Sequence, residues 1–350
     1  MFINGIAGIS AQPEKNVFSN TPRQYHQNIF PAVTPDYKEF IPAMALRRMS
    51  GAVKMGLTTA LMALKDAGLE LPDAIITGTG QGCKQDTEKF LNEILDKEEA
   101  LLAPTSFIQS THNTIGGQIA LNLKCNAYNV TYSQNSASLE LALADAVLLF
   151  NEQLAPSSIL VGGVDEISEI ITSFMYLDGQ LKEEEILNLN LLETQSEGTI
   201  TSEGAHFFTI SSNENSHTYG ELLDISIFNA GSSEIVLAGI EEFLNQNLLS
   251  SADIDLVILG NNGDSRFDHF YHFLQNGIFR ETLQLGYKHL VGDYDTVSGY
   301  AMWLGSKILQ RNEIPQILRL NEQPSSKLKK ILLYNQYLGE NHSLILLGST

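Results

Sequence analysis

Apolar residues recur with helical and extended spacing in turn along most of the chain. Between positions 47 and 68 they return every three or four residues and Gly68 follows, which predicts a helix that ends on a glycine cap. Residues 73–80 are a short apolar run closed by glycines, typical of a buried parallel strand entering a loop. With a strand predicted at residues 1–9, the order is strand, helix, strand, as in a crossover unit.

The alternation continues to the end of the chain. Further helices are predicted at residues 88–95, 114–123, 138–150, 232–245, 267–275 and 298–309, and further strands at residues 127–133, 158–163, 203–210, 219–228, 255–259, 330–337 and 342–347. The order of predicted strands and helices begins again after residue 210. This repeat predicts an α/β protein of two similar halves, residues 1–212 and 213–350. The acidic, leucine-rich residues 178–197 are expected to be an exposed excursion, with partner contact as the alternative.

Charge narrows the range of partners. The 21 Lys and Arg against 41 Asp and Glu give a net charge of -20, which repels nucleic acid and anionic lipid. No apolar run approaches the roughly 18 residues of a membrane span, and the first residues lack a basic secretory region. A cytoplasmic protein without a nucleic-acid or membrane partner is expected. Cys83 and Cys125 lack the number and spacing of a disulfide framework or a thiolate metal site.

An ordered set of short motifs resembles one family, the β-ketoacyl synthases. The motifs are Gly-Gly-Val-Asp-Glu at 162–166, Glu-Gly-Ala at 203–205, the glycine loop after 255–259 and Gly-Glu-Asn-His-Ser at 339–343; residues 3–10 and 63–68 fit as well. The resemblance covers nearly the whole chain, which is shorter than catalytic members. It implies the thiolase fold, in which two duplicated α/β halves form a five-layered α-β-α-β-α core, and a dimer.

The resemblance also implies a cysteine nucleophile at the turn before the helix at 138–150. This chain has Gln134 at that position if the helix alanines are aligned, or Asn135 if Leu139 is aligned. Neither amide is a nucleophile.

Two histidines that help to decarboxylate a malonyl unit are implied as well. Their positions hold Gly260 and Asp293, while the family's lysine and loop acid are retained as Lys288 and Asp268. The catalytic set is therefore expected to be lost.

A glutamine at the nucleophile position also marks chain-length factors, the inactive partners of ketosynthases in type II polyketide systems. The resemblance thus implies a non-catalytic subunit of a heterodimer with an active ketosynthase, receiving chains from an acyl carrier protein in a polyketide, aryl polyene or fatty-acid-like pathway. A tunnel closed by bulky side chains limits chain length by steric exclusion and needs no titratable group. The alternatives are a divergent acyltransferase or malonyl decarboxylase with a non-cysteine site, and a homodimer that binds acyl thioesters.

The segment 103–113 is the expected crossing point to the partner's acyl pocket. Phe107, Ile108 and His112 are candidate gating residues, and Asn113 matches a family asparagine before a helix start. The alternative is that Phe107 and Ile108 are core residues and that His112 caps the next helix.

Two further signals are weak. The glycines at 78–82 lack the full dinucleotide fingerprint, and Asp268, His269 and His272 lack a further apparent metal ligand. No cofactor and no metal are expected.

Overall fold

The strands of the fold form one hydrogen-bonded series. In the computed structural model, which describes residues 1–102, 104–152, 156–324 and 327–350, their order is β3-β2-β4-β5-β1-β6-β10-β9-β7-β8. The strands are β1 (Phe2–Ile9), β2 (Ala74–Gly78), β3 (Tyr128–Tyr132), β4 (Ser158–Asp165), β5 (Gly204–Ser211), β6 (Gly220–Asn229), β7 (Leu256–Leu259), β8 (Leu283–Gly286), β9 (Lys330–Tyr337) and β10 (Asn341–Gly348).

The first five strands and the last five share one topology. From the centre outward they run β1-β5-β4-β2-β3 and β6-β10-β9-β7-β8. In each set the two outer pairings are parallel and the two inner pairings are antiparallel. The sets meet through β1 and β6, where Phe2 pairs with Glu221 and Ile3 with Gly220. The strand order thus repeats, and the division at residue 212 stays a prediction.

Helices form the remaining layers. They are α1 (Glu14–Phe18), α2 (Ala43–Leu46), α3 (Gly51–Ala67), α4 (Lys84–Asp96), α5 (Pro104–Gln109), α6 (Thr114–Leu123), α7 (Ser138–Phe150), α8 (Glu169–Leu177), α9 (Ser233–Gln246), α10 (Asp268–Asn276), α11 (Lys288–Val291) and α12 (Ser298–Arg311). Helices α7 and α12 contact each other and strands of both sets, so they form a central layer. Helices α3 and α6 cover the outer face of the first set, and α9 and α10 cover the second.

Burial explains why these helices occupy their layers. Helix α12 is buried over most of its surface, including Tyr300 and Trp303, as a helix packed on two sides must be. Helix α3 begins at Gly51, four residues later than the expected start, because the Ser50 side chain accepts the Val53 N–H at 3.2 Å and caps the helix there. Gly68 ends that helix at a φ of 70°, where an L side chain would be strained.

The acidic segment at 178–197 departs from the expected exposed excursion. Its glutamates at 183–185 are exposed, but Leu181, Lys182, Asn188 and Leu191 are buried. The Lys182 ammonium donates to the carbonyl oxygens of Ser196 and Gly263, which ties the segment to the second half of the chain. Among the described residues, no helix has the length and apolar character needed to cross a membrane.

Candidate functional site

The turn between β3 and α7 holds the two candidate nucleophile positions. The Ser138 hydroxyl accepts the Gln134 N–H at 2.8 Å and donates to the Asn135 carbonyl oxygen at 2.6 Å. Asn135 has a φ of 44° at the tip of this turn, and both amide side chains are exposed. A strained strand-to-helix turn is also how other enzymes present a nucleophile. An amide at either position cannot attack a thioester.

Gly260, which the resemblance assigns to the first histidine position, follows β7 and is buried. Its N–H donates to the Tyr334 carbonyl oxygen at 2.9 Å. A Cβ built on Gly260 would lie 2.3 Å from the Asn335 side-chain oxygen and 3.2 Å from the Tyr271 hydroxyl. Asn335 therefore occupies the space that a larger side chain at position 260 would need.

The turn between β3 and α7, residues 133–137, is called the elbow below. Little space is left between the elbow and the strands of the second half. Ser136 and Ala137 share a gap of about 10 Å³ with Asn335, Gln336 and His342. A volume of roughly 10–15 Å³ holds a single water molecule. An acyl chain does not fit in this gap.

Glu140 lies in the first turn of α7 and is fully buried. It accepts a hydrogen bond from the Ser343 hydroxyl at 3.0 Å, while its other carboxyl oxygen has no partner within the described part of the chain. Burial raises the pKa of Glu140, and hydrogen bonds from its own backbone N–H and from Ser343, together with the charge of Lys288, oppose this rise. A carboxyl group thus lies between the two halves, behind the elbow.

Asp293, at the second histidine position, forms an ion pair. Its carboxylate lies 2.8 Å from the Lys288 ammonium and accepts from the Asn262 amide at 3.0 Å. Lys288 is buried and Asp293 is half-buried. The charge of Lys288 is therefore neutralised by Asp293, the residue expected from the resemblance at the histidine position. Asp268, the retained acid, lies apart from this pair at the start of α10.

Asp293 also lines a cavity of about 560 Å³. Five carboxyl groups and one lysine face this cavity: Glu166, Asp178, Asp264, Asp293, Asp295 and Lys84. Burial raises the pKa values of Glu166 and Asp295 to about 7, and neighbouring carboxylates add to both shifts. Phe174, Met175 and Leu338 supply apolar wall. The motif analysis identified Asp293 and included Glu166 in the motif at 162–166, but it missed Asp178, Asp264 and Asp295 as members of one site, because they come from separate loops.

The segment proposed to cross to a partner is exposed. Phe107 and Ile108 on α5 are 57% and 61% exposed, so the alternative that they are core residues is wrong. His112 and Asn113 are exposed before α6; Asn113 occupies the capping position, without a capping side-chain bond, so His112 is not the cap. Ala103, the first residue of this segment, lies outside the described residues.

Exposed apolar side chains surround the outer edge of the first strand set. Strand β3 pairs with β2 and is the last strand on its side. Tyr128 on β3, Leu121 on α6 and Leu148 on α7 are 42%, 72% and 66% exposed. An open strand edge with apolar flanks is a template for pairing with another chain.

The remaining candidates have structural explanations. Cys83 and Cys125 are buried away from the elbow, and burial raises the pKa of Cys83 to about 12. Of the glycines at 78–82, Gly80 packs against carboxylates: its N–H donates to Asp165 at 2.9 Å, and Asp295 lies directly beside it. Carboxylates at Gly80 do not favour a phosphate ligand.

Layer order and duplicated strand topology define a thiolase fold. Residues 20–175 match the family model of the β-ketoacyl synthase N-terminal domain. No curated protein sequence matches the chain. The resemblance inferred from the motifs is confirmed by the family match and the fold.

Solved structures of similar fold span the full length. A β-ketoacyl synthase from Burkholderia phymatum STM815 has a TM-score of 0.82 at 14% identity, covering 100% of this chain and 99% of that one. AntDE:AntF is a type II polyketide synthase acyl-carrier protein in complex with its ketosynthase. It has a TM-score of 0.81 at 14% identity, and the match covers 100% of this chain and 99% of that one. The ketosynthase ApeO in complex with its chain length factor ApeC from Xenorhabdus doucetiae has a TM-score of 0.78 at 16% identity. The match covers 100% of this chain and 98% of that one.

Proposed function

We propose that this chain is a non-catalytic subunit of the chain-length-factor type. It pairs with an active β-ketoacyl synthase during carrier-protein-dependent elongation of a polyketide, an aryl polyene or a fatty-acid-like chain. The observation that carries this proposal is the combined replacement at the three catalytic positions, with Asn135 or Gln134, Gly260 and Asp293 in place of cysteine and two histidines. The cytoplasmic location stays a prediction.

The charge of the large cavity supports this proposal over a malonyl decarboxylase. Decarboxylation passes from a malonyl carboxylate to an enolate, and catalysis requires donors or positive charge where that negative charge develops. Here Asp293 already neutralises Lys288, and Asp178 and Asp264 also face the cavity, where Lys84 is the one lysine of the wall. Carboxylates at this position raise the energy of an enolate.

The small space at the elbow is an independent observation in support of the non-catalytic role. The gap beside Ser136 and Ala137 measures about 10 Å³, and the Asn335 side chain packs against Gly260. An acyl chain therefore has no room in this gap, which supports the loss of the nucleophile at the turn.

The exposed edge of β3 supports a protein partner. Tyr128, Leu121 and Leu148 surround it, and exposed Phe107 and Ile108 form a further apolar surface on α5. The ApeO–ApeC structure, of similar fold, is a ketosynthase with its chain length factor. We propose that β3 pairs with the same strand of an active ketosynthase, and that Phe107, Ile108, His112 and Asn113 reach its acyl tunnel.

The net charge of -20 bears on where a carrier protein docks. Acyl carrier proteins are acidic and meet basic surfaces, so an acidic subunit is a poor direct partner. We propose that the carrier docks on the catalytic subunit, as in the complex of an acyl-carrier protein with its ketosynthase. This chain then contributes to the tunnel wall.

Co-expression with a Cys-His-His ketosynthase from the same genome tests the proposal. Native mass spectrometry of the purified complex should give a 1:1 heterodimer. A stable homodimer that excludes the ketosynthase would favour a stand-alone acyl-binding protein. Malonyl-carrier decarboxylation by this chain alone would contradict the non-catalytic role.

A further inference from the structure

One carboxylate in the wall of the cavity of about 560 Å³ has no partner among the described residues. Four of the five carboxyl groups that face this cavity accept hydrogen bonds from the protein, namely Glu166, Asp178, Asp264 and Asp293. The fifth, Asp295, has neither a hydrogen bond nor an ion pair within the described part of the chain. Native proteins rarely leave a largely buried acceptor without a donor, so we expect the donor to come from a ligand.

The fold holds the Asp295 carboxylate against the loop that follows β2. A Cβ built on Gly80 would collide with a carboxylate oxygen of Asp295, so glycine is needed there. The next residue, Thr296, donates its N–H and its hydroxyl to Asp165, both at 2.8 Å. Asp165 therefore has donors, whereas Asp295 beside it has none. Asp295 is half-buried and lines the cavity, so its remaining accessible surface is open to a molecule there.

The charges around Asp295 favour a cation as that molecule. Burial raises the pKa of Asp295 to about 7, and the charges of Asp165 and Asp293 add to this rise. Lys84, the one lysine of the wall, opposes the rise but forms no ion pair with Asp295. A positive group in contact with Asp295 would reduce the repulsion between the carboxylates and supply the missing donor.

The wall suits an organic cation better than a metal ion. Within the described ranges, no three histidine, cysteine or carboxylate side chains converge in a way that could hold a metal ion. Apolar side chains form another part of the same wall, including Ile171, Phe174, Met175 and Leu177. A small molecule with one positive end and one apolar end matches both parts of the wall.

We propose that this cavity binds a primary ammonium ion that carries a small apolar group, with its N–H groups donating to Asp295 and its apolar part lying on Phe174 and Met175. An ammonium group has three donors and no acceptor, which suits a carboxylate that lacks a donor. Ammonium–carboxylate hydrogen bonds are among the stronger ones in proteins. The proposal goes beyond the non-catalytic role and does not rest on it, so a failure to bind amines would leave that role untouched.

Three molecules of nearly equal size and shape test the charge of the ligand. They are phenethylamine as the cation, phenethyl alcohol as the neutral molecule and hydrocinnamate as the anion. Methylamine, which lacks the apolar part, tests the contribution of the apolar wall. Isothermal titration calorimetry on the full-length chain measures each affinity.

Two variants test the position of the contact. Asp295→Asn keeps the size of the side chain and removes its charge. Asp178→Asn is the matched control, because it removes one charge from the same wall at an exposed carboxylate that accepts the Gln180 amide at 2.6 Å. The comparison of cation and neutral molecule is made on the wild-type chain, so the test does not depend on the folding of either variant.

Phenethylamine should bind at least about tenfold more tightly than phenethyl alcohol, because a hydrogen bond to a charged group is stronger than a neutral one. Asp295→Asn should weaken phenethylamine binding by about tenfold, and Asp178→Asn by less than about threefold. Methylamine should bind more weakly than phenethylamine.

Four results would overturn the proposal. They are the absence of saturable phenethylamine binding, binding of the alcohol or of hydrocinnamate at least as tight as that of the amine, methylamine binding as tight as that of phenethylamine, and equal losses in the two variants.

Discussion

The Asp293 carboxylate lies 2.8 Å from the Lys288 ammonium, at a position that the family resemblance assigns to a histidine. The Lys288 side chain is 2% exposed, so losing its counter-charge would leave a buried ammonium. We expect Asp293→Asn to lower the free energy of unfolding by about 3 kcal/mol, the usual effect of breaking a buried pair. Urea denaturation measures this difference.

An exposed pair provides the control for that measurement. Arg280 and Glu281 are 3.8 Å apart with more than three quarters of each side chain exposed. Glu281→Gln should change the free energy of unfolding by less than about 0.5 kcal/mol. If Asp293→Asn costs no more than Glu281→Gln, the ion pair does not stabilise the fold.

The strained turn at Asn135 gives a second prediction. At a φ of 44°, glycine is unstrained, whereas a β-branched residue is strained. Asn135→Val should lower the free energy of unfolding by about 1–2 kcal/mol, and Asn135→Gly should be close to neutral. Equal stabilities of the two variants in urea would show that the turn relaxes.

Acid sensitivity should depend on His206. Burial lowers its pKa from 6.5 to about 3, so below pH 6.5 the unfolded chain binds a proton that the folded chain does not. Stability is therefore lost as pH falls from 6.5 toward about 3, by up to about 1.4 kcal/mol per pH unit from this group. In His206→Phe this contribution is absent, so the variant should gain stability relative to wild type on acidification. A difference between them that does not change with pH would contradict the neutral, buried imidazole.

The exposed residues of α5 should matter for pairing and not for the fold of the chain. Phe107→Asp places a charge at a side chain that is 57% exposed, and Ile235→Asp does the same at 54% on α9. Both should change the free energy of unfolding by less than about 0.5 kcal/mol. Phe107→Asp alone should weaken the heterodimer in native mass spectrometry. Equal heterodimer formation by the two variants would remove Phe107 from the interface.

Periodicity predicted the long elements well. Helix α7 runs over Ser138–Phe150, the span expected from its alanines and leucines, because it is long and strongly apolar. Strand β8 (Leu283–Gly286) was missed, since four residues are too few for a periodic signal. Helix α8 (Glu169–Leu177) was missed because it carries apolar residues on its exposed side, including Phe174 and Leu177.

Sequence reasoning likewise found some residues of the candidate site and missed others. Family motifs located Asp293 and Lys288, whose ion pair follows from their places on a short helix and the next loop. Asn335, which fills the space beside Gly260, could not be assigned from sequence, because β9 meets β7 only through tertiary pairing.

The most direct test of the non-catalytic role is extension of malonyl-carrier by the active ketosynthase alone, by this chain alone and by both together. We expect extension only with both subunits, a rate unaffected by Asn135→Ala or Gln134→Ala, and a product length altered by Phe107→Ala. Extension or decarboxylation by this chain alone, lost on substitution of Asn135 or Gln134, would contradict the account.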